Sequence, residues 1–319
     1  MRKGFAHFGK AVQGGKRMIN GLGGSAIFNT LNRSNKSLSK AMEKLSTGSK
    51  INQASDDPAG LVISSQMRAQ IAGTQRAIQN TQEANSMLSI AEGGLASISK
   101  PLAKAKQLAL ASANSGVTTE EQTRANQAEM NNILSSIQNI ASTTSYSGRS
   151  LLNGASANLH LQLGESAGGA DSFSLPNISL ESLGKISIEE EVTDPDTGAV
   201  STVRNEYSMA DLFAGGRAAL AEKPEIAAQV VDQAVKDIAG MRAEIGAYQA
   251  NTLDSNANSL EVALANIYAT ESAISDTDIA KAVTEQTTAS IKTQAGLLGV
   301  QKLNKSAGQY LKLLGIEQQ

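Results

Sequence analysis

Residues 28–45 read FNTLNRSNKSLSKAMEKL, a stretch in which apolar side chains recur with the seven-residue spacing of a coiled coil. One repeated position holds Phe28, Asn35 and Met42, and the position three residues later holds Leu31, Leu38 and Leu45. Asn35 either fixes the register of a seam, at a cost in stability, or lies where a seam is open to water, and the sequence supports both interpretations. The pattern covers barely three heptads, which is too short to establish a coiled coil by itself.

Helical spacing of this kind occupies both ends of the 319-residue chain but not its middle. Apolar residues three and four apart continue from about residue 26 to 148 and again from about 224 to 315. We therefore predict a mainly α fold: a long antiparallel helical rod in which N- and C-terminal helices pack together like a coiled coil. A β-hairpin and a small β-containing insert lie between them. A rod with a seam to bury favours assembly over chemistry.

The breaks between helices carry recognisable capping residues. The first helix should end near Thr47-Gly48, and Asp56 or Asp57 should cap the next one, with Pro58 in its first turn. The same two carboxylates could also be read as metal ligands, but no third ligand type lies nearby, which favours capping.

The second helix should run from about residue 59 to 114, with a kink or break at Pro101. Thr118 or Thr119, followed by Glu121 and Gln122, should restart a helix with a capping box.

The middle of the chain changes to the two-residue period of β-strands. Leu159, Leu161 and Leu163 alternate with polar residues before a Gly-Gly turn, which predicts a hairpin over about 158–176. A second hairpin is predicted from Ile186 to Val203, around the turn residues Asp194-Pro195-Asp196-Thr197-Gly198. The run of Glu189, Glu190 and Glu191 is most simply a solvated strand edge.

Composition excludes several functional classes. The chain has no Cys, which removes disulfides, thiol catalysis and Cys-based zinc sites, and its two histidines, His7 and His160, cannot form a zinc-protease motif. No apolar run reaches 18 residues, so we expect no membrane insertion. A net charge of −2 gives no electrostatic footprint for nucleic acid. We expect no enzymatic activity, no metal and no cofactor.

Both termini have unusual compositions. Residues 1–17 hold five basic residues and no acidic one, which we interpret as a disordered basic tail or a start placed too early, with Met18 as the true start. The last helical segment concentrates its apolar residues after Leu297 and should order mainly on meeting partner helices.

Several blocks of this chain, in order, resemble the bacterial flagellins. LSKAMEKLSTGSKIN at residues 38–52 resembles the N-terminal signature of that family, and SDDPAG at 55–60 continues it. Further similar blocks are QLA at 107–109 with SAN at 112–114, SGRSLLNG at 147–154, LQLG at 161–164, RAEIGAYQ at 242–249 and AISDTDIA at 273–280. The resemblance spans about 18–154 and 238–315.

The resemblance implies a secreted structural subunit that polymerises into the bacterial flagellar filament for motility. Such a subunit is exported unfolded and folds its terminal helices on assembly. An inner-tube domain would comprise residues 18–53 and 276–319, and a rod domain 54–184 and 225–275. Residues 185–224 would form a short outer insert. Its partners would be copies of itself, an export chaperone, and the filament cap and hook-associated proteins.

The resemblance also implies site residues. The expected subunit interface is Phe28, Leu31, Leu38, Met42, Leu45, Ile291, Leu298, Leu303 and Leu314. The chaperone would bind Leu298, Leu303, Tyr310, Leu311 and Leu314. An animal Toll-like innate receptor would contact Lys104, Leu108 and Glu129, although Lys104 stands where Arg is typical of the family and a solvated helix face explains these residues equally well.

Two alternatives within the flagellum remain at this point. A hook–filament junction protein shares the helical ends, and a minor flagellin would share every block. The lysines Lys302, Lys305 and Lys312 lie where the family usually shows few charges, so the choice between a major and a minor filament subunit stays open.

Overall fold

The computed structural model describes residues 2–114, 116, 118–155, 158–165, 168–193 and 200–313, without the side chains of 2–24, 190–201, 307, 308 and 310–313. The chain forms two compact units. Unit 1 comprises Met1–Ala69 and Ile267–Gln319, and unit 2 comprises Gln70–Asn266. These divisions fall inside two helices rather than at 53/54 and 275/276, and the division into inner tube and rod stays a prediction.

Long helices dominate both units, as the apolar spacing predicted. Six are described: α1 (Arg2–Thr47), α2 (Pro58–Ala113), α3 (Glu120–Thr143), α4 (Pro224–Tyr248), α5 (Asp254–Ser275) and α6 (Ile279–Leu313). In unit 1, α1 and α6 pack antiparallel: Ser49 bridges Asp276, Asn35 accepts a hydrogen bond from Thr293, and Leu31 lies against Gly296. The two chain ends thus form one helix pair.

The predicted capping residues set the helix ends. Gly48 leaves α1 with a left-handed φ of 71°, a conformation that glycine adopts at little cost. The Asp57 side chain accepts a hydrogen bond from the amide of Gly60 at 2.9 Å and caps α2. Thr119 forms the capping box of α3 with Gln122, in which each side chain accepts a hydrogen bond from the other residue's amide.

The structure differs from two expectations about α1 and α2. The helix α2 does not break at Pro101, because Ile98, Leu102 and Ala105 on either side are fully buried and hold both segments in place. Residues 2–17, for which we expected either a disordered tail or a start placed too early, belong to the first turns of α1, and the position of the true start stays a prediction. No proline interrupts the chain before Pro58, so the helix can extend through this segment.

The strands form three separate two-stranded antiparallel sheets. They are β1 (Ser145–Tyr146) with β2 (Arg149–Ser150), β3 (Asn158–Gln162) with β4 (Ala170–Ser174), and β5 (Ile186–Thr193) with β6 (Val200–Tyr207). Both predicted hairpins are confirmed, with Leu159 opposite Phe173 and Ile186 opposite Tyr207. The turn predicted at 194–198 lies outside the described residues. Glu189 is exposed, as expected of a solvated edge.

Unit 2 has a closed core of large aliphatic side chains. Leu88, Leu95, Ile98 and Leu102 of α2 are fully buried, together with Met130, Leu134 and Ile137 of α3. Val230, Val231, Ala234 and Ile238 of α4 and several leucines of the strand region complete the same cluster. Burial on this scale, at about 1.5–3 kcal/mol per large side chain, makes unit 2 the stable part of the chain.

The chain passes from α4 to α5 through a single π-helical turn, Gln249–Leu253. The Gln249 side chain there donates hydrogen bonds to the side-chain oxygens of Asn85, at 2.7 Å, and Ser89, at 3.1 Å. Tyr248, just before the turn, packs against Phe173 with the two ring centroids 4.5 Å apart, and its hydroxyl donates a hydrogen bond to Asp171. Burial and this hydrogen bond raise the pKa of Tyr248 above its ordinary value.

Candidate assembly surface

The seam inside the helix pair includes one of the two predicted heptad positions, that of Leu31, Leu38 and Leu45, but not the other. On α1 the covered line is Leu31, Ser34, Leu38, Ala41 and Leu45, of which Ser34 and Ala41 are buried and the leucines half-buried. Phe28 and Met42, which we expected to share the seam, are 53% and 52% exposed. Asn35 is exposed, yet it accepts a hydrogen bond from Thr293 at 3.3 Å. The exposure fits a seam that is open to water at Asn35, and a role of Asn35 in fixing the register stays a prediction.

The α6 side of the seam is built from small and polar residues. Ala282 and Ala289 are buried, and Gln286, Thr293, Gly296 and Val300 are half-buried on the same face. A Cβ placed on Gly296 would lie 3.2 Å from the Leu31 Cδ1 atom, so this glycine lets the two helices approach closely. The inner seam therefore leaves the large apolar residues of α6 on the outside.

Those large residues are exposed. Of the sixteen exposed large apolar side chains among the described residues, eleven belong to unit 1. We define the exposed apolar set as the eight that the helix pair carries: Phe28, Met42, Ile279, Val283, Ile291, Leu297, Leu298 and Leu303. Six of them are more than half exposed: Phe28 and Met42 on α1, and Ile279, Ile291, Leu297 and Leu298 on α6. Large exposed apolar surface is typical of an interaction site.

The predicted interface residues therefore divide into two groups. Phe28, Met42, Ile291, Leu298 and Leu303 lie in the exposed apolar set. Leu31, Leu38 and Leu45 are half-buried on the seam within the chain, because they face α6, and their contact with another copy stays a prediction. Leu314 lies outside the described residues.

A polar junction, which sequence analysis did not predict, joins the two chain segments of unit 1. The amide of Lys50 donates to the carbonyl of Ser275, and that of Thr277 donates to the carbonyl of Gly48. Glu271 accepts hydrogen bonds from Ser64 and Arg68, both at 2.8 Å. Partners more than 200 residues apart leave no local pattern, which is why this cluster was missed.

Two carboxylates in the junction are held in their charged form. The Lys40 ammonium, 2.8 Å away, donates a hydrogen bond that holds the pKa of Asp56 below its ordinary value. Hydrogen bonds from the Ser64 hydroxyl, which has the larger effect, and from the Arg68 guanidinium lower the pKa of Glu271. Asp56 thus pairs with Lys40 while its neighbour Asp57 caps α2, and among the described residues no group of carboxylates and histidines could hold a metal ion.

The residues expected to contact an innate receptor lie on unit 2. Lys104 and Glu129 form an ion pair at 3.4 Å, and each side chain is about half exposed. Leu108 is only 6% exposed and lies in the core, so it has little surface to offer a receptor, and its assignment as a contact is corrected.

The chain combines a helix pair whose large apolar residues are partly exposed with a unit whose core is buried. This combination is typical of helical structural proteins that self-associate. Residues 24–157 match the bacterial flagellin N-terminal helical region, and residues 228–314 match the bacterial flagellin C-terminal helical region. The chain belongs to the bacterial flagellin family.

Named relatives agree with this membership over nearly their whole length. The chain is 34% identical over 305 residues to the flagellin of Bacillus subtilis (strain 168), an alignment that covers 91% of this chain and 97% of that protein. It is 32% identical over 292 residues to the flagellar filament 33 kDa core protein of Treponema phagedenis, with 91% and 97% covered. The crystal structure of Bacillus cereus flagellin matches with 25% identity and a TM-score of 0.41, covering 57% of this chain and 88% of that one.

The predicted fold class and function are confirmed at the level of the family. The chain is a structural subunit that self-assembles into the extracellular flagellar filament, and the junction-protein alternative has no better support. In the part of the chain that the structure describes, no helix is both long and apolar enough to cross a membrane.

Proposed function

We propose that the helix pair of unit 1 is the part of the chain that polymerises, and that its folding is completed by neighbouring copies. The observation that carries this proposal is the uneven distribution of apolar burial. Every member of the large buried cluster lies between Ala84 and Leu253, in unit 2. The fully buried residues of the helix pair are alanine and serine, and eight of its large apolar side chains are exposed.

Burial against other copies would supply the missing stabilisation. Leu298 is 65% exposed, so covering it would contribute about 1–2 kcal/mol, and the other members of the exposed apolar set would add similar amounts. Identical copies joined by contacts that do not close into a ring give a helical polymer. A helix pair that is only marginally stable alone would fold fully on joining that polymer, after export of an unfolded chain.

Loss of the exposed apolar side chains tests this proposal. We expect Ile291→Gln with Leu298→Gln to prevent polymerisation, and deletion of residues 298–319 to do the same. Leu110→Gln is a matched control, because Leu110 is 54% exposed but lies in unit 2. Seeded samples would be examined by sedimentation and by negative-stain electron microscopy. Normal filaments from the double variant and from the truncated chain would contradict the proposal.

We further propose that an export chaperone covers the end of α6 before assembly. Leu298 and Leu303 are 65% and 36% exposed and available for such a partner. The side chains of Tyr310, Leu311 and Leu314 lie outside those described. Alanine variants at Leu298 and Leu303 should weaken chaperone capture in a pull-down, and unchanged capture would argue against this site.

Contacts with the filament cap and hook-associated proteins are proposed from family membership. Recognition by a Toll-like receptor is proposed for the exposed Lys104–Glu129 pair alone. A reporter-cell assay that gives no response at high protein concentration would reject it.

A further inference from the structure

The methionines of this chain differ widely in their exposure to solvent. The chain contains eight, and the structure describes the side chains of six. Met42, on α1, is 52% exposed. The other five are shielded, three of them at most 7% exposed and two half-buried: Met87, Met130 and Met209, then Met67 and Met241. Among the described side chains, Met42 therefore carries the thioether that is most open to a reagent in water.

Met42 also lies where both helices of the pair carry exposed apolar side chains. Two contacts with the C-terminal segment, at Asn35 and at Ser49, lie seven residues to either side of Met42. The antiparallel register therefore places Met42 level with residues 283–286 of α6. Val283, at this level, is 45% exposed. Met42 is thus a member of the exposed apolar set with an apolar neighbour on the partner helix, rather than an isolated surface residue.

A thioether at such a position can be oxidised reversibly. The sulfur attacks one oxygen of hydrogen peroxide, an S–O bond forms and the O–O bond breaks. The leaving hydroxide takes the proton of the transferred oxygen and becomes water, so the sulfur loses the two electrons that reduce the peroxide. The product, methionine sulfoxide, is polar, and methionine sulfoxide reductases reverse the reaction. Oxidation thus converts an apolar contact residue into a polar one.

We propose that Met42 is a site of reversible oxidation by hydroperoxides, and that its sulfoxide hinders the free chain from joining the polymer. The proposal rests on the proposed function, in which neighbouring copies cover the exposed apolar set. Covering a sulfoxide without a hydrogen-bond donor raises the critical concentration, which is the chain left unpolymerised at equilibrium, by about 10–100-fold. Copies within the polymer have Met42 covered, so oxidation acts on the free chain.

Mass spectrometry of proteolytic peptides tests whether exposure selects Met42. Free wild-type chain and preformed filaments are treated with hydrogen peroxide for increasing times, and the gain of one oxygen is followed at every methionine. In the free chain, Met42 should react about tenfold faster than the three most buried methionines, because oxidation follows exposure. In filaments, Met42 should react about tenfold more slowly than in the free chain.

Seeded polymerisation tests the consequence of the oxidation. After removal of the peroxide, the critical concentration is determined by sedimentation, and each protein is compared with its own untreated sample. Oxidation should raise the value for wild type, and a methionine sulfoxide reductase should restore it. Met42→Leu should show no such rise, because leucine has no sulfur. The matched control is Met67→Leu, which removes a half-buried methionine of unit 1 but retains Met42, and should respond as wild type does.

Two results would overturn the inference. One is a Met42 oxidation rate that is equal in filaments and in the free chain. The other is a critical concentration that oxidation leaves unchanged in wild type, or raises equally in wild type and Met42→Leu. Failure of the proposed function is read separately, without peroxide, because the Ile291→Gln and Leu298→Gln variant would then form normal filaments.

Discussion

Gly184 should tolerate no side chain, although it lies far from the exposed apolar set in the sequence. Its φ of +70° is in the left-handed region, and a Cβ there would lie 2.5 Å from the backbone carbonyl oxygen of Val230 in α4. The segment cannot easily move away. The Gly184 amide donates to Asp237 at 2.9 Å, and the neighbouring carbonyl of Leu183 accepts from Met209 at 3.1 Å.

The cost of Gly184→Ala has two parts. Alanine in the left-handed region costs about 1–2 kcal/mol. The contact with a backbone oxygen requires a shift of α4 or of this segment, and such overpacking adds about 1–3 kcal/mol. The free energy of unfolding of unit 2 should therefore fall by about 2–5 kcal/mol. At about 2–4 °C per kcal/mol for a unit of this size, its melting temperature should fall by roughly 4–20 °C.

Gly215→Ala separates the two parts. Gly215 also lies in unit 2 with a φ of +80°, but nothing lies within 4 Å of a Cβ added there. It should therefore show the backbone cost alone. Thermal unfolding of both full-length variants, followed by circular dichroism, would compare them. Equal melting temperatures for the two variants would refute the argument from the Val230 contact.

Three further predictions concern hydrogen bonds. The pKa values of Asp56 and Glu271 are lowered in the folded chain, so their contribution to the stability of unit 1 is complete above the ordinary pKa values of 3.8 and 4.5 and is lost as pH falls below them. Helix content measured from pH 6 to pH 3 should therefore drop, and the drop should be smaller in Asp56→Asn. Thr119→Ala should lower the free energy of unfolding by about 1 kcal/mol in urea titrations, whereas Thr119→Ser should not. In absorbance titrations, Tyr248→Phe should abolish a tyrosine ionisation that occurs above the ordinary tyrosine pKa. A titration curve identical to that of the wild type would contradict the raised pKa of Tyr248.

Local signals accounted for most of the correct fold predictions. The end of α1, the cap of α2 and the box at Thr119 each depend on residues within a few positions of one another, so the sequence displays them directly. The hairpins were equally readable from two-residue alternation and turn residues. The continuity of α2 through Pro101 was not, because it depends on core packing on both sides of the proline.

The assembly surface was only partly predictable for a related reason. Heptad positions are identified from large apolar side chains, so we predicted that Phe28 and Met42 lie on the inner seam together with the leucines. The structure instead covers Ser34 and Ala41, because α6 offers alanine and glycine and the helices can come close together. Small residues fix this seam, and their pattern does not stand out in a sequence rich in alanine and serine.

The π-helical turn at Gln249–Leu253 limits changes in the number of residues between α4 and α5. It contains one residue more than a regular turn, and one residue corresponds to about 100° of rotation around a helix axis. Leu253, the last residue of the turn, is fully buried, as Ile245 is before the turn, so the extra residue sets the angular phase between α4 and α5. Deleting a single residue here would give a more regular backbone, yet it would turn one helix face away from its neighbours. The length of this segment is therefore constrained more tightly than its side chains are.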